Sequence, residues 1–441
     1  MKHALPATIG LAFQGLLLLF MSCQAPPAET GMAYDSLLLD HVWAGHPVGF
    51  DLLTAPPYQF AAYYDSSRTM TVAKRKLGET AWEKTHLDEV TGWDSHNYIA
   101  MALDSEGYLH LSGNMHVDTL VYYQASQPYD IKSLQRKSSL VGSDEARVTY
   151  PKFFDAPGQD LIFTYRIGGS GNGNQVYNRY KPQTQQWSRL LDQPLVDGEG
   201  QMNAYLHGPI LGPDGFFHLL WVWRDTPDAA TNHDLSYAKS KDLVHWMKSD
   251  GSPQELPITM GNCEIIDPVP AGQGMINGNT VIGFDGAGRC IVSYHKFDEA
   301  GNTQIYQARR EADDWQIYQS TDYDFRWDFG GRGSLNSRIS LQPVEATEQQ
   351  LQQLVWLDTA GFQTHILDPK SLQVVRKQPP ADSYPAQLDQ ARRASHQVNM
   401  TKSSAGDTLY LLRWETLARN RDRPRDKPWP AATPLYLYVM E

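Results

Sequence analysis

Cysteine is nearly absent from this chain, with three in 441 residues. Only Cys263 and Cys290 lie in the body of the sequence, too few for a disulfide framework. An oxidising compartment would let them pair; we read both as buried and inert. Excess positive charge is missing too, the formal net charge being -12. Nucleic-acid-binding domains are normally basic, so that class is set aside. An acidic polysaccharide would need a local positive patch against this background. Helical periodicity is lacking, with Glu348 to Leu354 a weak exception. Beyond residue 21 no apolar run reaches membrane length.

The one apolar run, Ile9 to Met21, follows Met1-Lys2-His3 and precedes Ser22-Cys23. It is too short to span a bilayer and reads as a secretory signal over residues 1–22. Cysteine directly after it implies a bacterial lipoprotein, lipidated at Cys23 and held at the outer membrane. Residues 23–36 would then be the tether. Phe20 and Met21 are atypical before such a cysteine, and simple cleavage and release is the alternative. Residues 37–441 remain as one large domain.

That domain is rich in turn formers and aromatics, the whole chain having 34 Gly, 27 Pro, 12 Trp and 23 Tyr. Short apolar runs broken by turns point to an all-β fold. Three segments share a turn followed by an apolar strand: Leu103-Asp-Ser-Glu-Gly-Tyr-Leu-His-Leu, Gly212-Pro-Asp-Gly-Phe-Phe-His-Leu-Leu and Phe284-Asp-Gly-Ala-Gly-Arg-Cys-Ile-Val. Asp155-Ala-Pro-Gly-Gln-Asp-Leu-Ile-Phe fits more loosely. Asp155, Asp214 and Asp285 are followed at a nearly fixed offset by Trp187, Trp246 and Trp315. One four-stranded blade repeated radially gives such a pattern. The spacing predicts a β-propeller, with seven four-stranded blades favoured over a pair of β-sandwiches. Ser240-Lys-Asp-Leu-Val-His-Trp246 resembles a degenerate Asp-box, the turn of sialidase-type blades.

Chemistry concentrates between residues 92 and 117. His96 and His116 stand at the ends of two strand-like runs joined by the turn Asp104-Ser-Glu-Gly107. Folding back there brings both imidazoles to one sheet edge, poised for proton transfer or anion binding. Around them lie Arg147, Tyr150, Lys152, Tyr165, Arg166, a glycine-rich loop over 167–174, Arg179, Tyr205 and His207. Such a loop permits close backbone approach to a ligand, but no Gly-Lys-Ser/Thr follows to make it a phosphate loop. His, Tyr and Arg are what β-elimination from a uronate requires. Arg or His neutralises the carboxylate, His or Tyr removes the C5 proton, and Tyr or His protonates the leaving oxygen at C4. Core packing is the competing role for Tyr150 and Tyr165.

From about Asp40 to Gly333 the chain resembles the bacterial BNR-repeat propeller family, which includes ulvan lyases and related α-L-rhamnosidases acting on rhamnose–glucuronate linkages. The matching segments include Val42-Trp-Ala-Gly-His46-Pro-Val-Gly-Phe50, Trp93-Asp-Ser-His96-Asn-Tyr98, Ser112-Gly-Asn-Met-His116, Thr149-Tyr150-Pro, Tyr165-Arg166, Trp223-Arg224-Asp-Thr-Pro-Asp228, Asn232-His-Asp-Leu-Ser-Tyr237 and Ser293-Tyr-His295. For a lyase the resemblance implies His96, His116, Tyr150 and Arg166 as catalytic residues, with Tyr150 as acid, or as both acid and base, and Arg166 and one histidine holding the carboxylate. Tyr165, Arg179, Tyr205, His207 and Arg224 are expected around the substrate. For a rhamnosidase it implies His46, exposed in a pocket on the opposite face, although glycosidases normally use a carboxylate pair. Some such lyases carry a structural zinc. Here His233, Cys290 and His295 are the candidates, but their spacing matches no closed zinc pattern; a structural zinc is the less favoured alternative to the expectation that no cofactor is required.

The expected partner is an acidic polysaccharide containing rhamnose and glucuronate. The membrane enters only through the lipid on Cys23. Elimination is the first expectation, hydrolysis with His46 the second, and a non-catalytic glycan-binding propeller the third. A sialidase would need an arginine triad and a Tyr/Glu pair, which two histidines do not supply.

Overall fold

The computed structural model describes Met1 and residues 34–440, apart from 157, 159, 313 and 381–383. The signal, Cys23 and most of the tether lie outside the described residues. Tyr34 to Ser36, expected in the tether, already belong to the strand Tyr34–Val42. Glu348 to Leu354, the one weakly helical stretch, is a turn running into the strand Leu351–Leu357. No helix among the described residues is long and apolar enough to cross a membrane.

The fold is all-β and propeller-like. Four-stranded antiparallel sheets succeed one another along the chain. The first is Asp51–Ala55, Tyr58–Tyr64, Thr69–Lys76 and Glu83–Val90. The second is Ile99–Leu103, Leu109–Gly113, Tyr122–Ala125 and Leu134–Arg136. An eleven-stranded sheet then runs from His116–Asp118 to Glu264–Asp267, continuous through one parallel bridge between Gly173 and Asn203. Two more four-stranded sheets begin at Val281–Phe284 and Ile339–Ala346. The last sheet joins the chain ends, Tyr34–Val42 lying beside Thr433–Met440. Asp51–Ala55 packs against Ile99–Leu103 on one side and His396–Ala405 on the other. First strands of successive sheets therefore face one another, as in a radial arrangement.

Local sequence explains the sheets. In Leu351–Leu357 every second residue is buried, the period-two pattern of a pleated strand with one apolar face. The repeated turns are built alike. Gly107, Gly215 and Gly288 adopt left-handed φ of 85°, 76° and 76°, which only glycine takes without strain. Trp187, Trp246 and Trp315 all fall on outermost strands, Gln186–Arg189, Trp246–Met247 and Trp315–Gln319. The glycine-rich segment is a hairpin tip, since Leu161–Gly169 and Asn172–Lys181 pair through Gly169 and Asn172. Aromatic packing fills the wedges between sheets. Phe50 stacks on Trp414 with centroids 4.3 Å apart, locking the first sheet to the last.

Candidate active site

Two loops, one sheet and a distant strap converge at one edge of the molecule. Ile99 pairs with Gly113, so the residues preceding one strand and following the other meet. The imidazoles of His96 and His116 stack there, with centroids 4.0 Å apart and planes 23° from parallel. Asp94 sits beneath both. His96 Nδ1 lies 2.5 Å from Asp94 Oδ1 and His116 Nδ1 lies 2.6 Å from Asp94 Oδ2. The His96 backbone N–H also donates to Oδ1 at 2.9 Å. Burial works to raise the Asp94 pKa, but the hydrogen bonds from His116 and His96 override it and hold the carboxyl well below its usual range. With each Nδ1–H committed to an ionised carboxylate, each Nε2 is left free to exchange a proton.

Tyr150 faces this pair, its ring centroid 5.6 Å from that of His96. Its φ is 63°, and the pairing register slips between Thr149 and Lys152. Such a bulge re-aims a side chain, and Pro151 suits it because proline donates nothing to the ladder. Arg166 underlies the Tyr150 ring, its guanidinium carbon 4.8 Å from the ring centre. Burial raises the Tyr150 pKa, and Arg166 opposes this without cancelling it. The phenol therefore holds its proton at neutral pH.

Arg166 is only 1% exposed. Nη2 donates to Thr149 Oγ1 at 3.2 Å, while Nε and Nη1 have no partner among the described residues. The expectation that Arg166 grips a substrate carboxylate directly meets this burial: the guanidinium lies beneath the Tyr150 ring and is not open to solvent.

The substrate-side expectations divide. Tyr205 is at the site, with Arg166 and Arg224 guanidinium carbons 5.8 and 5.4 Å from its ring centre and its hydroxyl 2.7 Å from Ser170 Oγ. His207, Tyr150 and Tyr205 line one cavity of about 260 Å³, together with Tyr98 and Lys152. Burial, then the nearby Lys152 charge, lowers the His207 pKa to about 4. Arg224 holds the following loop by donating Nε to the Thr226 and Asp228 carbonyls at 3.1 and 3.2 Å. Tyr165 is a correction: it is fully buried in the core, because its neighbour Arg166 points to the other face of the strand. Arg179 is another. It pairs with Ile162, well down the strand from Arg166, and its Nε lies 3.6 Å from Asp160 Oδ2.

His46 departs from its expected place as well. It is 2% exposed, its ring 5.8 Å from that of Trp93, with Trp43 Nε1 donating to Nδ1 at 3.4 Å. It neighbours Asp94 and Asp422, on the same side as the histidine pair, and burial lowers its pKa. The zinc candidates do not converge. Cys290 and His295 stand five residues apart on one strand, which sends them to opposite faces roughly 16 Å apart. His233 is instead held between Asp225 and Asp234, at 3.0 and 2.9 Å. Among the described residues, Asp94, His96 and His116 are the group whose donor atoms lie within 4.8 Å of one another and could hold a metal ion.

Asp94 and Asp422 were missed by sequence reasoning. Asp422 accepts from Ser95 N and Oγ at 3.1 and 2.8 Å and from Ser334 N at 2.7 Å. Its Oδ2 is 3.9 Å from His96 Nδ1. The loop after Thr408–Leu417 thus straps the turn that carries His96. Asp94 could have been found from its place two residues before His96; nothing local marks Asp422.

Fold and site define a class: a propeller-like all-β protein with a carboxylate-bridged histidine pair opposed by a tyrosine over a buried arginine. Residues 58–323 match the model of the BNR repeat-containing family, and the chain belongs to that family. It is 25% identical over 250 residues to an ulvan lyase, long isoform, of Alteromonas sp., covering 45% of this chain and 24% of that one. A 143-residue stretch is 31% identical to an ulvan lyase, short isoform, of Alteromonas sp. (strain LOR), covering 29% of this chain and 26% of that one. The matched stretches span about a quarter or less of these relatives. The crystal structure of polysaccharide lyase Uly1 shares the fold with a TM-score of 0.63 at 14% identity, covering 95% of this chain and 94% of that one. An ulvan lyase structure bound to -[GlcA(1-4)Rha3S]- gives 0.60 at 12% identity, with 88% and 94% covered.

Proposed function

We propose that this protein is a polysaccharide lyase that cleaves a rhamnosyl–glucuronate linkage by β-elimination. The observation that carries the reading is the stacked His96–His116 pair on Asp94, facing Tyr150. A histidine Nε2 takes the C5 proton of the uronate. The C5–H electrons form the C4=C5 bond, the C4–O4 bond breaks, and Tyr150 gives its proton to the leaving oxygen. Asp94 stabilises the imidazolium so formed, as a carboxylate does in hydrolase triads. The second histidine is placed to hold the uronate carboxylate. Tyr150 fits the acid role because burial keeps it protonated, and the histidine fits the base role because its Nδ1 is turned to Asp94.

Three finer points belong to the same reading. The eleven-stranded sheet is two blades joined at Gly173 and Asn203, which brings the propeller to seven. The substrate is an acidic polysaccharide of rhamnose and glucuronate, as in the ligand of the ulvan lyase structure. The protein is exported and lipidated at Cys23.

The test is incubation of the purified protein with ulvan and with rhamnose-capped arabinogalactan. Ultraviolet absorbance from an unsaturated uronate is the expected result. Free rhamnose without absorbance would mean hydrolysis, and no product from either would mean a binding protein or another glycan.

A further inference from the structure

Beside the histidine–tyrosine centre lies a second, open groove of about 460 Å³, walled by Arg147, Asn172, Asn174 and the glycines Gly168, Gly173 and Gly200. It adjoins the centre through two links. Arg147 stands two residues before Thr149, which pairs with His116. A Cβ on Gly173 would come within 3.0 Å of Arg166 Cδ, so the groove floor rests on the arginine beneath Tyr150. That floor is bare by necessity. A Cβ on Gly168 would meet the Asn172 carbonyl oxygen at 2.5 Å, and one on Gly173 would meet Asn203 Oδ1 at 2.7 Å. A flat, glycine-lined floor lets a sugar ring lie close to the backbone.

The groove carries positive charge. Arg179 and Arg189 are ion-paired, with Asp160 and Asp144 at 3.6 and 3.0 Å. Asp144, the acidic side chain of the groove, is thereby engaged. Arg147 is exposed and, among the described residues, has no ion-pair partner. Its guanidinium reaches over Gly169, with Nη2 3.6 Å from where a Cβ would stand. A protein of net charge -12 repels a polyanion. Arg147 extends outward the positive charge that Arg166, Arg224 and Lys152 supply at the centre, and such a substrate needs that charge. A guanidinium fork also matches the geometry of a sulfate or carboxylate group.

We propose that Arg147 and the glycine floor form an anionic-sugar subsite, which binds a sulfate ester or carboxylate on a residue next to the uronate being cleaved. This rests on the elimination reading for what is cleaved, though not for what is bound. The subsite recognises charge outside the reacting ring, so it contributes to binding and leaves the chemical step alone.

Arg147→Gln and Arg147→Lys would be compared with the unaltered protein on ulvan and on chemically desulfated ulvan. The expected result for Arg147→Gln is a KM raised about tenfold or more, the effect of losing one charge-assisted hydrogen bond, with kcat unchanged. Arg147→Lys should recover part of it. A rise confined to the sulfated polymer assigns the anion to sulfate, and an equal rise on both assigns it to a neighbouring carboxylate. An unchanged KM on both polymers overturns the subsite. Calorimetric titration with an ulvan oligosaccharide separates the two readings. An unaltered protein that forms no unsaturated product, yet binds the oligosaccharide about tenfold better than Arg147→Gln does, refutes elimination and keeps the subsite.

Discussion

Replacing Asp94 by asparagine tests the site at the point on which its chemistry turns. The carboxylate accepts from two imidazole Nδ1 atoms at 2.5 and 2.6 Å. Asparagine can accept from one of them, but it turns an N–H toward the other. That histidine must then carry its proton on Nε2 and can no longer act as base. Each charge-assisted hydrogen bond contributes roughly 1.5–3 kcal/mol, and the wrong tautomer in a comparable triad lowers kcat by about ten-thousandfold. Asp94→Asn should therefore lower kcat by roughly a hundredfold to ten-thousandfold, with a smaller rise in KM because Asp94 also orients the histidine that holds the uronate carboxylate. The assay is the rate of absorbance from the unsaturated product across pH 5 to 9, with thermal melting as a check on folding. Asp94 also contributes stability. Its pKa is depressed in the folded state, so its stabilisation is present above the ordinary aspartate value of 3.8 and is lost as pH falls through the folded pKa. Asp94→Asn should accordingly melt at a lower temperature at neutral pH. A folded Asp94→Asn protein with kcat within about threefold of normal would refute the carboxylate-bridged mechanism.

Further expectations follow from the same geometry. Tyr150→Phe keeps the ring over Arg166 but removes the acid, so kcat should fall by about a hundredfold or more while KM holds, measured on ulvan; near-normal turnover would remove Tyr150 from the mechanism. Gly173→Ala places a methyl 3.0 Å from Arg166 Cδ and 2.9 Å from the Ile167 carbonyl oxygen, and activity should drop as Arg166 is pushed from beneath Tyr150; an unaffected rate would mean that Arg166 is not needed there. His46→Gln loosens the packing around Trp43 and Trp93 and should lower the melting temperature more than it lowers turnover; abolished activity in a well-folded protein would return His46 to the chemistry. His295 and His365 are buried, and burial lowers both pKa values to about 4 from the ordinary 6.5. The unfolded chain then binds more protons between those two values, so stability falls as pH drops from 6.5 towards 4. The slope is about 1.4 kcal/mol per pH unit for each histidine. Urea unfolding of the unaltered protein, His295→Gln and His365→Gln at pH 7 and pH 5 reads it, and the same pH 7 to pH 5 difference in all three would show that these histidines titrate normally.

What the sequence made legible, and what it hid, follows the range of the interactions. The His96–His116 pairing is a hairpin consequence: Asp104 to Gly107 turns the chain, and strand register does the rest. Tyr205 and His207 share a face because they are two residues apart, and both line the same cavity. The same alternation shows why Tyr165 and Arg166 could not both serve the site, so the error at Tyr165 was avoidable. Arg179 failed for a different reason. Its distance from the centre depends on how far down the strand it pairs, which charge and proximity in sequence do not specify. Tyr150 sits on a bulge, and a single inserted residue inverts the facing that a regular strand would give it. Asp422 was out of reach altogether, because its tie to Ser95 crosses 327 residues and depends on the last sheet returning beside the first. That return is also what gives the tie its physical force. Tyr34–Val42 pairs with Thr433–Met440, and Phe50 stacks on Trp414, so the strap bearing Asp422 hangs from the joint between the two chain ends. Loosening that joint should disturb His96 before it unfolds the sheets, because a loop held by a few polar contacts opens at lower free energy than a packed strand.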